Sequence, residues 1–318
     1  MRIALPTHID PAAFATRDAS APIVTLEGAT MGTRWRVLYA AHADPAPIAA
    51  AITQTLARIV AEMSHWDADS LLSRFNRARA GHWFGLPPDF AHVIAAALRI
   101  AAASDGAFDP AIGHLVNAHG HGPTRLSGSR NGWHHLAWDA AARRLRQPGG
   151  LALDLSGIAK GHAVDAVSHA LRRAGLAHAL IDIGGELAGT GIRPDGEPWW
   201  VDLENPPGAP LVPLRIALHG LAVATSGTYI RGDHNLDPRT GRPAAHGVVA
   251  ASVIHQSAME ADALATALTV LGHDAGAAFA IRHALAARLV LRRHGTWDEW
   301  LSPALLAMLE PQEQETFA

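Results

Sequence analysis

Apolar residues fall at helical spacing in four stretches of the chain and alternate or run together in shorter ones. Ile48, Ile52, Leu56, Ile59, Val60 and Met63 share one helix face, and Phe90, Val93, Ile94, Ala97, Leu98 and Ala101 define a second amphipathic helix. A third helix is predicted over 158–174, closed by Gly175 where the chain needs a left-handed residue. The fourth runs over 257–271, with Gly272 suited to its carboxyl end. Strands are predicted at 23–26 and 34–39, around a turn region at 28–32, with Trp35, Val37 and Tyr39 alternating. Further strands are expected at 151–155, 179–183, 199–203, 214–218, 221–225, 248–254 and 286–292. Strands that follow one another across short turns pair antiparallel, and here they stand beside long helices. The fold class is therefore α+β rather than a doubly wound parallel sheet.

No period of 20–50 residues repeats, and Pro206, Pro207 and Pro210 mark a surface loop rather than a boundary. The chain reads as one domain over 23–318, preceded by an extension at 1–22 that is expected to be poorly ordered. That extension lacks the 7–15-residue apolar stretch of a secretory signal. A cytoplasmic location is the expectation, or a periplasmic one if the true start lies upstream. No transmembrane span is expected, because no window of about 20 residues is free of charge and polarity.

Composition narrows the chemistry. Of 318 residues, 49% are hydrophobic and 17% charged, enough apolar matter for a sizeable core and too much for intrinsic disorder. Lys and Arg number 26 against 29 Asp and Glu, so there is no basic excess to bind nucleic acid. Cysteine is absent, which removes disulfides, thiolate catalysis, Cys-ligated zinc, iron–sulfur clusters and a lipidated Cys anchor together. Twenty histidines are many for this length, but most are scattered.

Candidate chemistry gathers at a few strings. Ser257-Ala-Met-Glu260 has the form of a capping box, with Ser257 and Glu260 satisfying the first free N–H groups of the helix. Asp262 and Thr266, four apart, project from one face of that apolar helix and supply the hard oxygen ligands that suit Mg²⁺. They could equally be a solvated carboxylate and a hydroxyl bonded back to a carbonyl. The segment 154–161, Asp-Leu-Ser-Gly-Ile-Ala-Lys-Gly, lies between a strand and a helix, so its N–H groups and Lys160 could receive a phosphate, or form an ordinary turn. It is not a P-loop, and no Gly-x-Gly-x-x-Gly follows a strand. The run from His234 to Gly241 joins an Asp-Pro-x-x-Gly turn to a histidine that could act as a general base. Ser226-Gly227 lacks the Gly-x-Ser-x-Gly elbow of a serine hydrolase. His114, His119, His121, His134 and His135 could suggest a metal tract, although no HExxH or regular ligand spacing supports it.

Each string is short, but their order is specific. Met31-Gly-Thr33 comes first, then 63–70 (Met-Ser-His-Trp-Asp-Ala-Asp-Ser) with 72–76 (Leu-Ser-Arg-Phe-Asn). Next are 106–110 (Gly-Ala-Phe-Asp-Pro) with Gly113 and Leu115-Val-Asn117, then 154–161, Ile183-Gly-Gly-Glu186 and Ala224-Thr-Ser-Gly227. His234-x-x-Asp-Pro-Arg-Thr-Gly241 and Ala261-Asp-Ala-Leu-Ala-Thr-Ala267 close the series. The series resembles the ApbE family, the FAD:protein FMN transferases, over about residues 29–272.

The resemblance implies an α+β fold of the T-fold type. It also implies an enzyme that uses Mg²⁺ to move FMN from its substrate FAD to a Thr or Ser hydroxyl of an acceptor protein, releasing AMP. By motif position, Met31, Trp66, Ala107, Phe108, Asp109, Asp154 and Lys160 would contact FAD, with Leu236, Gly184, Gly185 and Glu186 in the same pocket. Asp262 and Thr266 would be side-chain Mg²⁺ ligands, Gly157 would add a carbonyl, and His234 would be the base. Trp66 stands where family members often have Tyr, keeping an aromatic face but losing a phenol. Many relatives carry an export signal that this chain does not show. Two rivals remain: a relative that binds or hydrolyses FAD without an acceptor, and a histidine-rich metal carrier using His114, His119 and His121.

Overall fold

A computed structural model describes residues 1–123, 132–229 and 234–310. Its centre is an eight-stranded sheet in the order Thr296–Leu301, Ala286–Arg293, Val248–His255, Leu221–Gly227, Glu186–Thr190, Ala179–Ile183, Thr33–Ala40 and Ile23–Thr30. Every neighbouring pair is antiparallel. Alternation decides which face each side chain serves. Ile181, Ile183, Ala222, Ala224 and Val253 join the larger core under the helices. Leu180, Val223 and Ile254 point the other way, into a second core shared with Trp199, Leu214, Ile216 and Leu218. Both faces of these strands are buried, which is why they read as unbroken apolar runs.

The helices Pro45–Met63, Pro88–Ala103, Ala159–Arg173 and Ala258–Arg282 pack against one another and the first face. A three-stranded sheet, in which Leu214–Leu218 lies between Arg2–Ala4 and Trp199–Leu203, covers the second. Ala258–Arg282 is long and apolar enough to cross a membrane by composition alone, but its Met259, Ala263 and Leu268 are part of the core between sheet and helices. Predicted and observed elements agree closely in the antiparallel α+β arrangement. The Glu186–Thr190 and Thr296–Leu301 strands escape the pattern because Gly189 in one and the adjacent Asp298 and Glu299 in the other interrupt their apolar signal.

Two local expectations are corrected. The segment 1–22 is not a loose extension: Arg2–Ala4 pairs in parallel with Leu214–Leu218, and Leu5 N–H donates to the Met308 carbonyl at 2.8 Å. Burying Ala4 and pairing Arg2 with Glu299 give those residues a reason to dock. The apolar run 151–155 forms no strand, because other groups take its backbone. Asn76 Nδ2 donates to the Leu153 carbonyl while Leu153 N–H donates to Asn76 Oδ1, Gly113 N–H donates to Ala152, and Asp154 N–H donates to Pro110. The helix that starts at Ala258 ends at Gly272 as expected: that residue takes a non-helical φ 77°, ψ −171°, and a second helix follows directly to Arg282.

Candidate functional site

The 154–161 turn and the helix that starts at Ala258 meet face to face. A Cβ on Gly161 would lie 2.2 Å from the Ala258 carbonyl oxygen and 2.8 Å from Asp262 Cβ, so only glycine permits the approach. The Gly161 N–H donates to Asp262 Oδ2 at 3.0 Å. Gly157 abuts Thr266, whose Oγ1 would stand 3.0 Å from a Cβ placed there. Segments about a hundred residues apart thus bring Gly157, Asp262 and Thr266 to one point.

The helix start is capped differently from the expected box. Ser257 Oγ accepts the Glu260 N–H at 3.3 Å, as predicted. The Glu260 carboxylate, however, pairs with Arg99, and Asp165 takes the remaining donors: Ala258 N–H at 2.9 Å, Met259 N–H at 3.0 Å and Ser257 O–H at 2.6 Å. Asp165 lies two turns into the neighbouring helix, so no local string could have shown this.

A cavity of about 350 Å³ opens beside that junction. Of the sequence-predicted site residues, Ala107, Phe108, Asp109, Asp154, Gly157, Lys160, Gly184, Glu186, His234, Leu236, Asp262 and Thr266 line it. Met31 and Trp66 line an adjoining apolar hollow of about 110 Å³ that shares Ser156 and Lys160 with the cavity. Trp66 is 65% exposed there, an open aromatic face. Gly185 sits in the same turn as Gly184 without lining the cavity. Gly184 and Gly185 have φ 66° and 97°, the two central positions of the tight hairpin turn between Ile183 and Glu186. A Cβ on Gly184 would also meet Thr33 Cγ2 at 2.8 Å, so this turn can sit against the Met31–Gly32 turn only as glycine.

Charge is concentrated on the buried wall. Lys160 Nζ is paired with Glu186 Oε1, and Glu186 Oε2 is buried with no hydrogen-bond partner among the described residues. Burial pushes the Glu186 carboxyl up to about 8, with Lys160 opposing the shift and Asp262 adding to it. Burial also raises Asp262, against the pull of Lys160 and the Gly161 N–H. The buried Asp262 carboxylate and the Thr266 hydroxyl beside the Gly157 backbone are hard oxygen donors that fit a divalent cation. The proton balance gives a measurable consequence. A carboxyl raised in the folded state holds its proton there more firmly than in the unfolded chain. Its contribution is therefore full below about 4.5 and is lost as pH rises toward about 8. With chelator present, thermal melts should show stability falling across that window, and Glu186→Gln should flatten the slope.

Asp154 is held the opposite way. Burial opposes its ionisation, but His65 Nδ1 at 3.2 Å and the Ser156 N–H and O–H at 2.7 and 2.5 Å outweigh it and hold the carboxyl below its usual range. Asp109 is raised, mainly by burial, although its carboxylate accepts N–H bonds from Ala111 at 2.7 Å and Trp133 at 3.1 Å. It braces a loop that carries Ala107 and Phe108 to the cavity. His65 and Asn76 lie in the 63–70 and 72–76 motifs, where the sequence alone gives them no role. The fold uses them to fix Asp154 and the segment that bears it.

Residues to which the sequence assigns no role also line the cavity: Thr225, Ser226, Gly227, Tyr229 and Asn235, alongside His234. The His121 ring lies against that of His234, centroids 6.4 Å apart. The other tract histidines disperse: His114 is buried, His119 bonds the Gly241 carbonyl, and His134 stacks on His135. Among the described residues, no group of three or more His, Asp and Glu is arranged to hold a metal ion.

Solved structures similar to this chain include flavin transferases. The chain aligns with the apo flavinyl transferase ApbE of Pseudomonas stutzeri at TM-score 0.83 and 32% identity, covering 91% of this chain and 97% of that one. The flavin transferase ApbE of Vibrio cholerae gives TM-score 0.84 at 32% identity, covering 91% and 99%. The ApbE family model matches residues 31–289, and the chain belongs to the ApbE family. A FAD:protein FMN transferase of Salmonella typhimurium is 32% identical over 92% of this chain and 91% of that protein.

Proposed function

We propose that the protein transfers FMN from FAD to a Thr or Ser hydroxyl of an acceptor protein, with Mg²⁺, and releases AMP. The observation that carries this reading is the meeting of Gly157, Asp262 and Thr266 in a cavity that also holds Lys160 and His234. The family relatives named FAD:protein FMN transferase support it.

The acceptor hydroxyl oxygen forms a bond to the phosphorus of the FMN half, and the bond from that phosphorus to the bridging oxygen breaks. AMP leaves with the bridging oxygen. Catalysis of such a step rests on positioning and on meeting the charge that develops on oxygen. His234 takes the hydroxyl proton. Lys160 offers positive charge beside the diphosphate. Asp262, Thr266 and the Gly157 carbonyl would hold Mg²⁺, which when bound neutralises phosphate charge. The apolar hollow with Met31 and Trp66 receives an aromatic ring of the dinucleotide.

Incubation with FAD, Mg²⁺ and a candidate acceptor, followed by intact-mass measurement, tests the reading. A gain of one FMN on the acceptor is the expected result. Free FMN and AMP with an unchanged acceptor would point to hydrolysis and overturn it.

A further inference from the structure

Asn235 follows His234 in the chain and lines the same cavity, yet the reaction scheme above does not use it. It is 7% exposed. Its backbone is fixed by the short hairpin of Leu236–Asp237 and Arg242–Pro243, with the Ala244 N–H donating to the Asn235 carbonyl at 2.8 Å. Its side chain is fixed at one end, where Oδ1 accepts from Ser226 Oγ at 3.4 Å. The other end, Nδ2, is buried and has no hydrogen-bond partner among the described residues.

A primary amide carries two N–H donors, and leaving both unmade inside a protein is costly. Buried groups left in that state are uncommon and call for a reason. Here the reason lies in what the cavity receives. The neighbouring residue takes the proton from the attacking hydroxyl, so the phosphorus under attack lies within reach of this stretch of chain. An uncharged N–H donor can meet an oxygen whose negative charge grows during attack without competing with Lys160 for the ground-state diphosphate.

We infer that Asn235 is a substrate-binding residue whose Nδ2–H donates to a non-bridging phosphoryl oxygen on the FMN half of FAD, more strongly as transfer proceeds. The inference rests on the transfer reading above. Asn235→Asp separates the two. The substituted carboxylate keeps the size of the side chain and still accepts the Ser226 hydroxyl, but it cannot donate while ionised. The expected result is about a 10²–10³-fold loss in kcat for transfer, as for removal of one oxyanion donor, with a melting temperature near that of the wild type. The ratio of variant to wild-type rate should rise as pH falls, because a protonated carboxyl donates again. A merely structural defect gives no such recovery, so the ratio decides even for a variant that melts early. A variant within threefold of a working wild type, or a loss whose ratio is flat with pH, overturns the inference alone. A wild type that leaves FAD intact overturns the transfer reading and this inference with it.

Discussion

His234→Ala should still bind FAD and yet lose flavin transfer by about 10²–10⁴-fold, the usual worth of a positioned general base. Binding should survive because Lys160, Phe108, Asp154 and the 154–161 turn line the cavity independently of the 234–237 segment. Single-turnover labelling of the acceptor reads the chemical step, and quenching of flavin fluorescence reads binding. Added imidazole should restore part of the rate, since removal of the ring leaves space beside the His121 ring. Transfer within tenfold of the wild type would remove His234 from its role. Loss of FAD binding in parallel with activity would make it a binding residue instead.

Asp262→Asn should raise the Mg²⁺ concentration needed for half-maximal activity by tenfold or more. The substitution is isosteric, and the amide oxygen can still accept the Gly161 N–H that Asp262 accepts at 3.0 Å. Because burial disfavours the charged form of Asp262, removing the charge should not destabilise the metal-free protein. The separation comes on adding metal. A ligand at a hundred times its Kd stabilises the folded state by about 2.7 kcal/mol. Mg²⁺ should therefore raise the melting temperature of the wild type and leave that of Asp262→Asn nearly unmoved. Equal Mg²⁺ stabilisation of both proteins, or unchanged metal dependence of transfer, would place the cation elsewhere.

Much of the site was visible in the chain as short strings, for physical reasons that differ from one to the next. Asp262 and Thr266 stood out because two polar residues one turn apart interrupt an apolar helix. Gly184 and Gly185 stood out because a strand running into two glycines marks a tight hairpin. Asp165, His65 and Asn76 did not, because their work is done on partners far away in sequence: the start of another helix, a carboxylate 89 positions on, and the backbone of residue 153. Asn235 carries no signal in the sequence, because its burial and the position of its Nδ2 are set by contacts with the rest of the fold. The 151–155 segment shows the converse error. Its apolar run is real, but side-chain amides and a neighbouring loop satisfy its backbone, so burial arose without a strand.

By itself the sequence determined the antiparallel α+β class, the four long helices and the ordered motifs that mark an ApbE flavin transferase, because periodicity and turn chemistry are local properties of the chain. Tertiary structure alone decided that residues 2–4 complete a second sheet, that Gly161 seats one helix start against another, and that Glu186 and Asp262 share one buried wall with Lys160. Those outcomes depend on which distant surfaces come into contact and on what water is then excluded, and no window of neighbouring residues carries that information.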